Sequence, residues 1–153
     1  MNAAAIAAGE LLAVCYRAIG RDRMAGLPIC NPVLEVDAVG FGAFSGEAFG
    51  VLLTPWCMNL VLVGLPGTPD RPALRAGTIR DCAFPSGTIA FTVTELDGFG
   101  RVDAASLFSP MHEFASHALA RATALAALEA VLAAPPKVVP GRRGLLFGRG
   151  TAA

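Results

Sequence analysis

The two histidines are the first residues to test for chemistry, because imidazole is a common general base and metal ligand. His112 and His117 are five residues apart. On one predicted helix they therefore do not share a face that would clamp a single metal ion. His112-Glu113 begins an H-E-x-x-H zinc motif, but position 116 holds Ser116 instead of the second histidine. We therefore predict no metal ligand here, and interpret His112 and Glu113 as solvated helix surface.

Thiol and hydroxyl nucleophiles give no stronger signal. The chain has four widely spaced cysteines with no C-x-x-C pair: Cys15, Cys30, Cys57 and Cys82. We predict reduced, mostly buried thiols without a disulfide or a zinc site. Ser86 precedes Gly87, but Pro-Ser-Gly is typical of a turn. The sequence contains no G-x-S-x-G, P-loop or dinucleotide-binding glycine pattern. We predict that the protein is not an enzyme and has no catalytic residue, metal or cofactor.

Charge and hydropathy narrow the class of partner. Twelve basic and twelve acidic residues give zero net charge, which argues against nucleic acid as a partner. Mean hydropathy is high, at +0.57. The longest charge-free run, 48–69, is interrupted by prolines and glycines, so we predict no membrane insertion. No basic region precedes the apolar N-terminus, which predicts a cytoplasmic protein. We expect an exposed apolar surface that binds another protein.

Helical periodicity appears near both ends of the chain. The first helix is predicted from Ala3 to Ile19, ending at Gly20. Its predicted apolar face consists of Ala4, Ala8, Leu11, Leu12, Cys15 and Ile19. The second helix is predicted to begin with Ser109 as its cap and to end at Pro135. Its predicted apolar stripe consists of Met111, Phe114, Ala118, Leu125 and Leu132, with Glu113, His117 and Arg121 stacked on the outside.

Period-two alternation predicts the strands between these helices. The predicted strands are Leu34–Ala38 paired with Ala48–Leu53, a fully covered Met58–Val63, Thr78–Ala83, Ile89–Thr94, and Arg101–Leu107 after a hairpin loop at Asp97-Gly98. We predict an α+β fold with a mostly antiparallel sheet of about five to six strands, flanked by an N-terminal and a C-terminal helix. Residues 1–136 would form a single domain, and 137–153 a flexible basic tail.

Three segments contain residues that a plain strand does not need. They are Thr54-Pro55-Trp56-Cys57-Met58-Asn59, Phe84-Pro85-Ser86-Gly87, and Phe108-Ser109-Pro110-Met111 through Phe114. Aromatic, Met and Pro residues at strand ends are typical of a peptide-binding groove, so we predict that they form one patch. The predicted partner-binding residues are Thr54, Pro55, Trp56, Met58, Asn59, Phe84, Pro85, Phe108, Pro110, Met111 and Phe114. The alternative is that Trp56 fills the core at a strand end.

These segments follow Met24-Ala25-Gly26-Leu27-Pro28 and Asn31-Pro32 in the chain. In that order the motifs resemble the HybE-type (HybE/HupJ) [NiFe]-hydrogenase assembly chaperones, from about Arg23 to the C-terminus. The resemblance implies a chaperone that binds immature hydrogenase subunits. Its partners would be the small-subunit precursor with its twin-arginine leader, and also the large-subunit precursor. Relatives carry an aromatic residue where this chain has Cys57, so a required thiol is not expected.

The C-terminal segment Arg142-Arg143-Gly144-Leu145-Leu146 looks like the core of a twin-arginine signal. It lacks the apolar stretch that must follow in a working signal. Our hypothesis is that Arg142, Arg143, Leu145 and Leu146 imitate a leader and occupy the groove of the same molecule or of a neighbour, forming a homo-oligomer. The alternative is a solvated basic tail.

Two other functions stay open at this point. The first is a metal- or cofactor-handling maturation factor or enzyme in the same pathway, which bound metal or thiol-dependent activity would indicate. The second is a structural subunit, which a stable complex with mature hydrogenase would indicate.

Overall fold

The computed structural model describes residues 2–66 and 72–135. Within these ranges the chain forms two α-helices and one six-stranded sheet, so the predicted α+β fold is confirmed. The elements are α1 (Asn2–Ile19), a π-helical turn (Gly20–Met24), β1 (Asp37–Phe44), β2 (Glu47–Leu53), β3 (Met58–Gly64), β4 (Ile79–Phe84), β5 (Gly87–Leu96), β6 (Gly100–Phe108) and α2 (His117–Leu132). The predicted tail, 137–153, lies outside the described residues.

The sheet is antiparallel throughout, in the order β1-β2-β3-β6-β5-β4. Pairing of the first two strands and the alternation of β5 are confirmed. The first strand begins at Asp37, three residues later than predicted. The reason is that the amide of Leu34 donates to the carbonyl of Asn31 in a turn, at 3.1 Å.

The sheet is strongly curled. β4 and the β1–β2 hairpin lie near opposite ends of the strand order, yet their side chains meet. The rings of Phe44 and Phe84 stack with centroids 4.8 Å apart. The guanidinium of Arg80 binds the carboxylate of Glu47. The curl encloses one face of the sheet.

Alternate residues of β2 enter two separate cores, one on each face of the sheet. Phe49, Val51 and Leu53 join the core under α2. Ala48 and Leu52 join the core under α1. Because both faces are covered, every residue of this strand is buried.

The buried face of α1 differs from the prediction. Ala5, Gly9, Leu12 and Ala13 are buried, whereas Leu11 is 62% exposed. The helix is apolar on almost every side, so hydrophobicity does not select one face. The helix Asn2–Met24 is long and apolar enough to cross a membrane by length and composition, and 22% of its apolar window is buried in this fold. The structure shows that helix packed along one side of β1 and β2.

Close packing against Phe41 selects the face of α1. A Cβ added at Gly9 would lie 2.6 Å from Cγ of Phe41, and one added at Gly50 would lie 2.4 Å from its Cδ1. The ring is therefore wedged between α1 and β2, and only glycine fits on either side of it. The helix also continues past the predicted stop at Gly20 into the π-helical turn.

The predicted start of the second helix is wrong. α2 begins at His117, and Ser116 is its cap, accepting from the amide of Leu119 at 3.2 Å. Residues 109–116 are irregular, with a cis Ser109–Pro110 peptide bond. Met111 and Phe114 are buried in the core as predicted for apolar residues, but they precede the helix.

The apolar stripe of α2 is also different. Ala120, Ala124 and Leu128 face the core. The predicted Leu125 and Leu132 are exposed. Cδ1 of Leu128 would lie 2.5 Å from a Cβ at Gly40, whose φ is +65°. Small residues on both sides bring α2 close to β1.

Candidate functional site

A threonine shapes the turn between β2 and β3. The hydroxyl of Thr54 accepts from the amides of Trp56 at 3.2 Å and Cys57 at 2.9 Å. It also lies 3.0 Å from the carbonyl of Cys57, to which it donates. Thr54 is fully buried. It is therefore a structural residue, and its hydrogen bonds place Pro55 and Trp56 at the tip of the turn.

Trp56 is held against the end of α1. Its ring stacks on Tyr16, with centroids 6.4 Å apart and an angle of 21° between the planes. A Cβ added at Gly20 would lie 3.6 Å from Cζ3 of Trp56, which is ordinary contact. Burial, followed by the charges of Cys57 and Cys15, raises the pKa of Tyr16, so its hydroxyl stays protonated. Trp56 is only half-buried, so it forms a fixed aromatic wall with an accessible side.

Asn31 joins two of the three unusual segments. Its side-chain Nδ2 donates to the carbonyls of Met111 and Phe114, both at 2.9 Å. Its backbone amide donates to the carbonyl of Pro55 at 2.8 Å. Its Oδ1 accepts from the amide of Val33 at 3.2 Å. This buried amide explains why residues 109–116 do not start the helix: two of their carbonyls are already bound to Asn31.

An apolar cleft of about 610 Å³ opens beside this junction. We call it the Trp56 cleft. Its walls come from the end of α1, the π-helical turn, the segment 24–36 and the β2–β3 turn. The lining residues used below are Arg17, Arg21, Met24, Leu27, Cys30 and Trp56. The lining contains two charged residues, the arginines, and one buried amide, that of Asn31. Its other residues are mostly apolar, which suits a peptide or small apolar ligand.

The two arginines stand on one side of the Trp56 cleft. Nη2 of Arg17 lies 3.4 Å from the carbonyl of Val36, a long hydrogen bond. Arg21 follows one turn later, and both residues are exposed. Within residues 2–66 and 72–135, no carboxylate lies within ion-pair distance of either guanidinium. Neither arginine was predicted as a site residue, because isolated arginines at a helix end look like ordinary surface.

The predicted partner-binding residues separate into distinct environments. Pro55 and Trp56 line the Trp56 cleft. Thr54, Met58, Phe84, Met111 and Phe114 are buried. The other four, Asn59, Pro85, Phe108 and Pro110, do not line this cleft. Partner binding by the accessible residues stays a prediction, and the leader-like Arg142, Arg143, Leu145 and Leu146 lie outside the described residues.

The prediction that these segments form one patch is wrong. Trp56 packs on α1, whereas Phe84 packs with Phe49 and Phe91 in the core under α2. Helix α1 and the core under α2 lie on opposite faces of the sheet. The buried Met58 and Met111 offer no surface to a partner.

Of the two thiols near the cleft, that of Cys57 is a poor nucleophile and that of Cys30 donates a hydrogen bond within the fold. Burial raises the pKa of Cys57, and its hydrogen bonds with Thr54 and Asn59 only partly offset this. The thiol is therefore protonated at neutral pH, which lowers its reactivity. Cys30 lines the Trp56 cleft, but its Sγ donates to the carbonyl of Met24 at 3.2 Å. In the described parts of the chain, no group of three His, Cys, Asp or Glu side chains could hold a metal ion.

A polar clamp fixes α2 to the start of β1 and to the residues just before it. Nε2 of His117 lies 2.9 Å from Oδ2 of Asp37, and Arg121 Nη1 donates to the same oxygen at 2.6 Å. The amide of Glu35 donates to Nδ1 of His117 at 3.3 Å. Burial alone would raise the pKa of Asp37, but the hydrogen bonds from Arg121 and His117 hold it below its ordinary value. Because Glu113 precedes α2, the predicted helical stack of Glu113 on His117 is wrong.

A second charged cluster lies inside the curled sheet. Asp103 is fully buried and Glu47 nearly so. Arg80 donates to Asp103 at 2.8 Å and to Glu47 at 3.0 Å. Arg101 donates to Asp103 through Nε and Nη2, both at 2.8 Å. These contacts join β2, β4 and β6. The cluster holds the curl of the sheet, and its Arg101 also lines a second cleft, of about 650 Å³, beside α1.

Comparison with known proteins agrees with this architecture. The sequence profile of a family described as "[NiFe]-hydrogenase assembly, chaperone, HybE" matches residues 7–148. Hydrogenase expression/formation protein HupJ of Bradyrhizobium diazoefficiens is 45% identical over 158 residues, covering 96% of this chain and 91% of HupJ. Hydrogenase expression/formation protein HoxT of Azotobacter vinelandii is 43% identical, covering 92% of this chain and 90% of HoxT.

A solved structure shows the same fold. The solution structure of HybE from Escherichia coli aligns with a TM-score of 0.65 and 30% identity, over 95% of this chain and 91% of that one. The resemblance inferred from the motifs is therefore confirmed. This chain belongs to the HybE family of [NiFe]-hydrogenase assembly chaperones.

Proposed function

We propose that this protein is a cytoplasmic, non-enzymatic chaperone that binds immature [NiFe]-hydrogenase subunits at the Trp56 cleft. The partners are the small-subunit precursor with its twin-arginine leader, and the large-subunit precursor. Family membership supports the role in hydrogenase assembly. The observation that carries the choice of site is the open apolar cleft, with Trp56 fixed at its edge.

The composition of the cleft suits an unfinished protein surface. Trp56 is a rigid aromatic anchor, and its stack on Tyr16 reduces the side-chain entropy lost on binding. Met24 adds an adaptable apolar side chain. Leu27 is 44% exposed at the cleft and gains burial when a partner covers it. A precursor segment that is later buried in the mature hydrogenase would supply the matching apolar side chains.

Catalysis is not required for this role. A chaperone needs only to bind the immature form better than the finished one. Each tenfold preference corresponds to about 1.4 kcal/mol. Burying one large apolar side chain of the partner in the cleft stabilises the complex by roughly 1.5–3 kcal/mol. When the bound segment folds into the mature subunit, that side chain is buried there instead, and the complex loses this free energy and dissociates.

Two leucines provide a matched test of the cleft. Leu27 lines it, whereas Leu119 is a comparably exposed leucine on α2, away from it. We expect Leu27→Ala and Trp56→Ala to weaken binding of the purified precursors, Trp56→Ala by roughly 1–3 kcal/mol. Leu119→Ala should leave binding unchanged. Calorimetry with each precursor subunit, with and without its leader, measures these differences.

The result also separates the alternatives. Precursors that do not bind the wild-type chain would contradict the proposed function. One equivalent of bound metal after tag-free purification would instead support the maturation factor that handles a metal or cofactor. Equal effects of Leu27→Ala and Leu119→Ala would place the binding surface elsewhere on the protein.

A further inference from the structure

We infer that the Trp56 cleft selects an apolar segment carrying an acidic side chain, which Arg17 and Arg21 hold, and that it disfavours the paired arginines of a leader. This inference rests on the proposed function, because the segment belongs to an immature subunit. It assigns the cleft to the body of the subunit. Any contact with the leader must then be made by another surface.

The spacing of the arginines supports one shared anion. Arg17 is in the last turn of α1 and Arg21 is in the π-helical turn that continues it. Residues four positions apart on a continuous helix lie on the same side, about 5–6 Å apart at Cβ. Both line the cleft. Two guanidinium groups at this spacing can donate to the two oxygens of one carboxylate.

The charge balance at the cleft points the same way. Among the residues that the structure describes, neither arginine has a carboxylate partner. Asp22, the acidic neighbour in the chain, does not line the cleft. Apolar walls reduce screening by water, with an effective dielectric constant near 20 instead of 80. An anion is therefore attracted to the cleft, and a second pair of arginines is repelled.

The openness of the cleft favours an internal acidic side chain over a chain terminus. Arg21, Ala25, Gly26 and Leu27 are all exposed along its edge. A segment can therefore lie across the cleft and continue on both sides. The volume of about 610 Å³ accommodates several side chains, so apolar neighbours of the acidic residue can pack on Trp56.

The same charges weigh against the hypothesis that the tail or the leader fills this cleft. Arg142 and Arg143, like the leader that they resemble, would bring two positive charges beside Arg17 and Arg21. Like charges in an apolar site destabilise a complex. Tail binding at this cleft is therefore disfavoured by the electrostatics, although the tail itself lies outside the described residues.

Overlapping 12-residue peptides covering both precursor subunits, immobilised through their C-termini, test the inference with the full-length chain. Immobilisation removes free carboxyl termini, so any acidic preference must come from side chains. We expect the strongest signals from apolar peptides that contain Asp or Glu. The double variant Arg17→Gln/Arg21→Gln should weaken these signals at least tenfold. Replacement of both by Lys, which keeps the charge, should retain most of the binding.

Arg23→Gln is the matched control, because this arginine is adjacent and exposed but does not line the cleft. Changing Asp or Glu to Asn or Gln in the strongest peptides should weaken binding to wild type but not to the double variant. Arg21→Gln alone provides the same test if loss of the contact between Arg17 and Val36 impairs folding, which thermal unfolding would reveal.

Calorimetry with the full-length precursors distinguishes the two proposals. If the precursors bind equally well to wild type and to the double variant, the charge selection is wrong and the proposed function stands. If leader peptides give the strongest signals and the double variant does not change them, the charge selection is also wrong. If no precursor binds the wild-type chain, the proposed function itself fails.

Discussion

Two pairs of arginines in this protein have opposite surroundings. Arg80 and Arg101 bind the buried carboxylates of Glu47 and Asp103, inside the curled sheet. Hydrogen bonds from Arg80 to Glu47, which outweigh burial, raise the pKa of this arginine further above its already high value. Arg17 and Arg21 stand at the Trp56 cleft, with no carboxylate partner in the described ranges.

The difference separates charge that maintains the fold from charge that remains available to a partner. A buried carboxylate must be paired, because taking an isolated charge out of water is very costly. Arg80 and Arg101 are therefore committed to Glu47 and Asp103. An exposed arginine remains hydrated and needs no internal partner, so it can meet an external anion. Arg17 and Arg21 belong to this second kind.

The largest effect is expected from Arg80→Met. Removing this guanidinium leaves Glu47 and Asp103 buried with too little positive charge, and breaking such a network costs roughly 3–5 kcal/mol of the free energy of unfolding. Arg21→Met, at an exposed position, should change it by no more than about 0.5 kcal/mol. Urea denaturation of both variants at pH 7 measures the contrast. Equal destabilisation would show that the two arginine pairs do not differ in the way proposed.

A smaller loss of stability is expected when a glycine in the core is replaced by alanine, compared with a glycine at the Trp56 cleft. Gly50→Ala would force its Cβ into the ring of Phe41, and overpacking of this kind costs roughly 1–3 kcal/mol. Gly20→Ala places its Cβ at ordinary contact distance from Trp56 and should be nearly neutral. Thermal unfolding of the two variants compares a filled core with a cleft that has room. A marked loss of stability in Gly20→Ala would show that the cleft is packed more tightly than described.

The clamp at Asp37 is an intermediate case, because Arg121 is half-exposed. The pKa of Asp37 is lowered in the folded state, so its contribution is present above the unfolded value near 3.9 and is lost as pH falls through the folded pKa. We expect Asp37→Asn to cost about 1 kcal/mol at pH 7. The difference from wild type should shrink below about pH 4.

Urea denaturation at pH 7 and at pH 3 measures this effect. Asp97→Asn is the control, because Asp97 is exposed in a hairpin turn that accepts either residue. A cost of Asp37→Asn that does not vary with pH would contradict an ionised Asp37 as the centre of the clamp.

The strands were predictable because their signal is local. Alternation at Ile89, Phe91 and Val93 marks one face of β5, and the Asp97-Gly98 turn sets the following hairpin. The family was predictable because several motifs occur in a defined order along the chain. Trp56 was recognised as unusual from its neighbours Pro55 and Cys57. All these signals depend on residues close together in sequence.

The helices show where local signals end. Ser109 and Pro110 are good residues for a helix start, but Asn31, about eighty positions earlier, binds the carbonyls of Met111 and Phe114. The alanine-rich α1 offers several apolar faces, and the wedge of Phe41 selects one of them.

The amino-acid sequence by itself determined the family, the α+β class and the strand pairing of the β1–β2 and β5–β6 hairpins, since periodicity and turn chemistry act over a few residues. The tertiary structure alone decided that Trp56 packs on α1 while Phe84 packs in the core under α2, because α1 and α2 cover opposite faces of the sheet. It also decided which arginines are paired. Whether an arginine finds a carboxylate depends on strands brought together by the curl of the sheet, as Arg80 and Glu47 are.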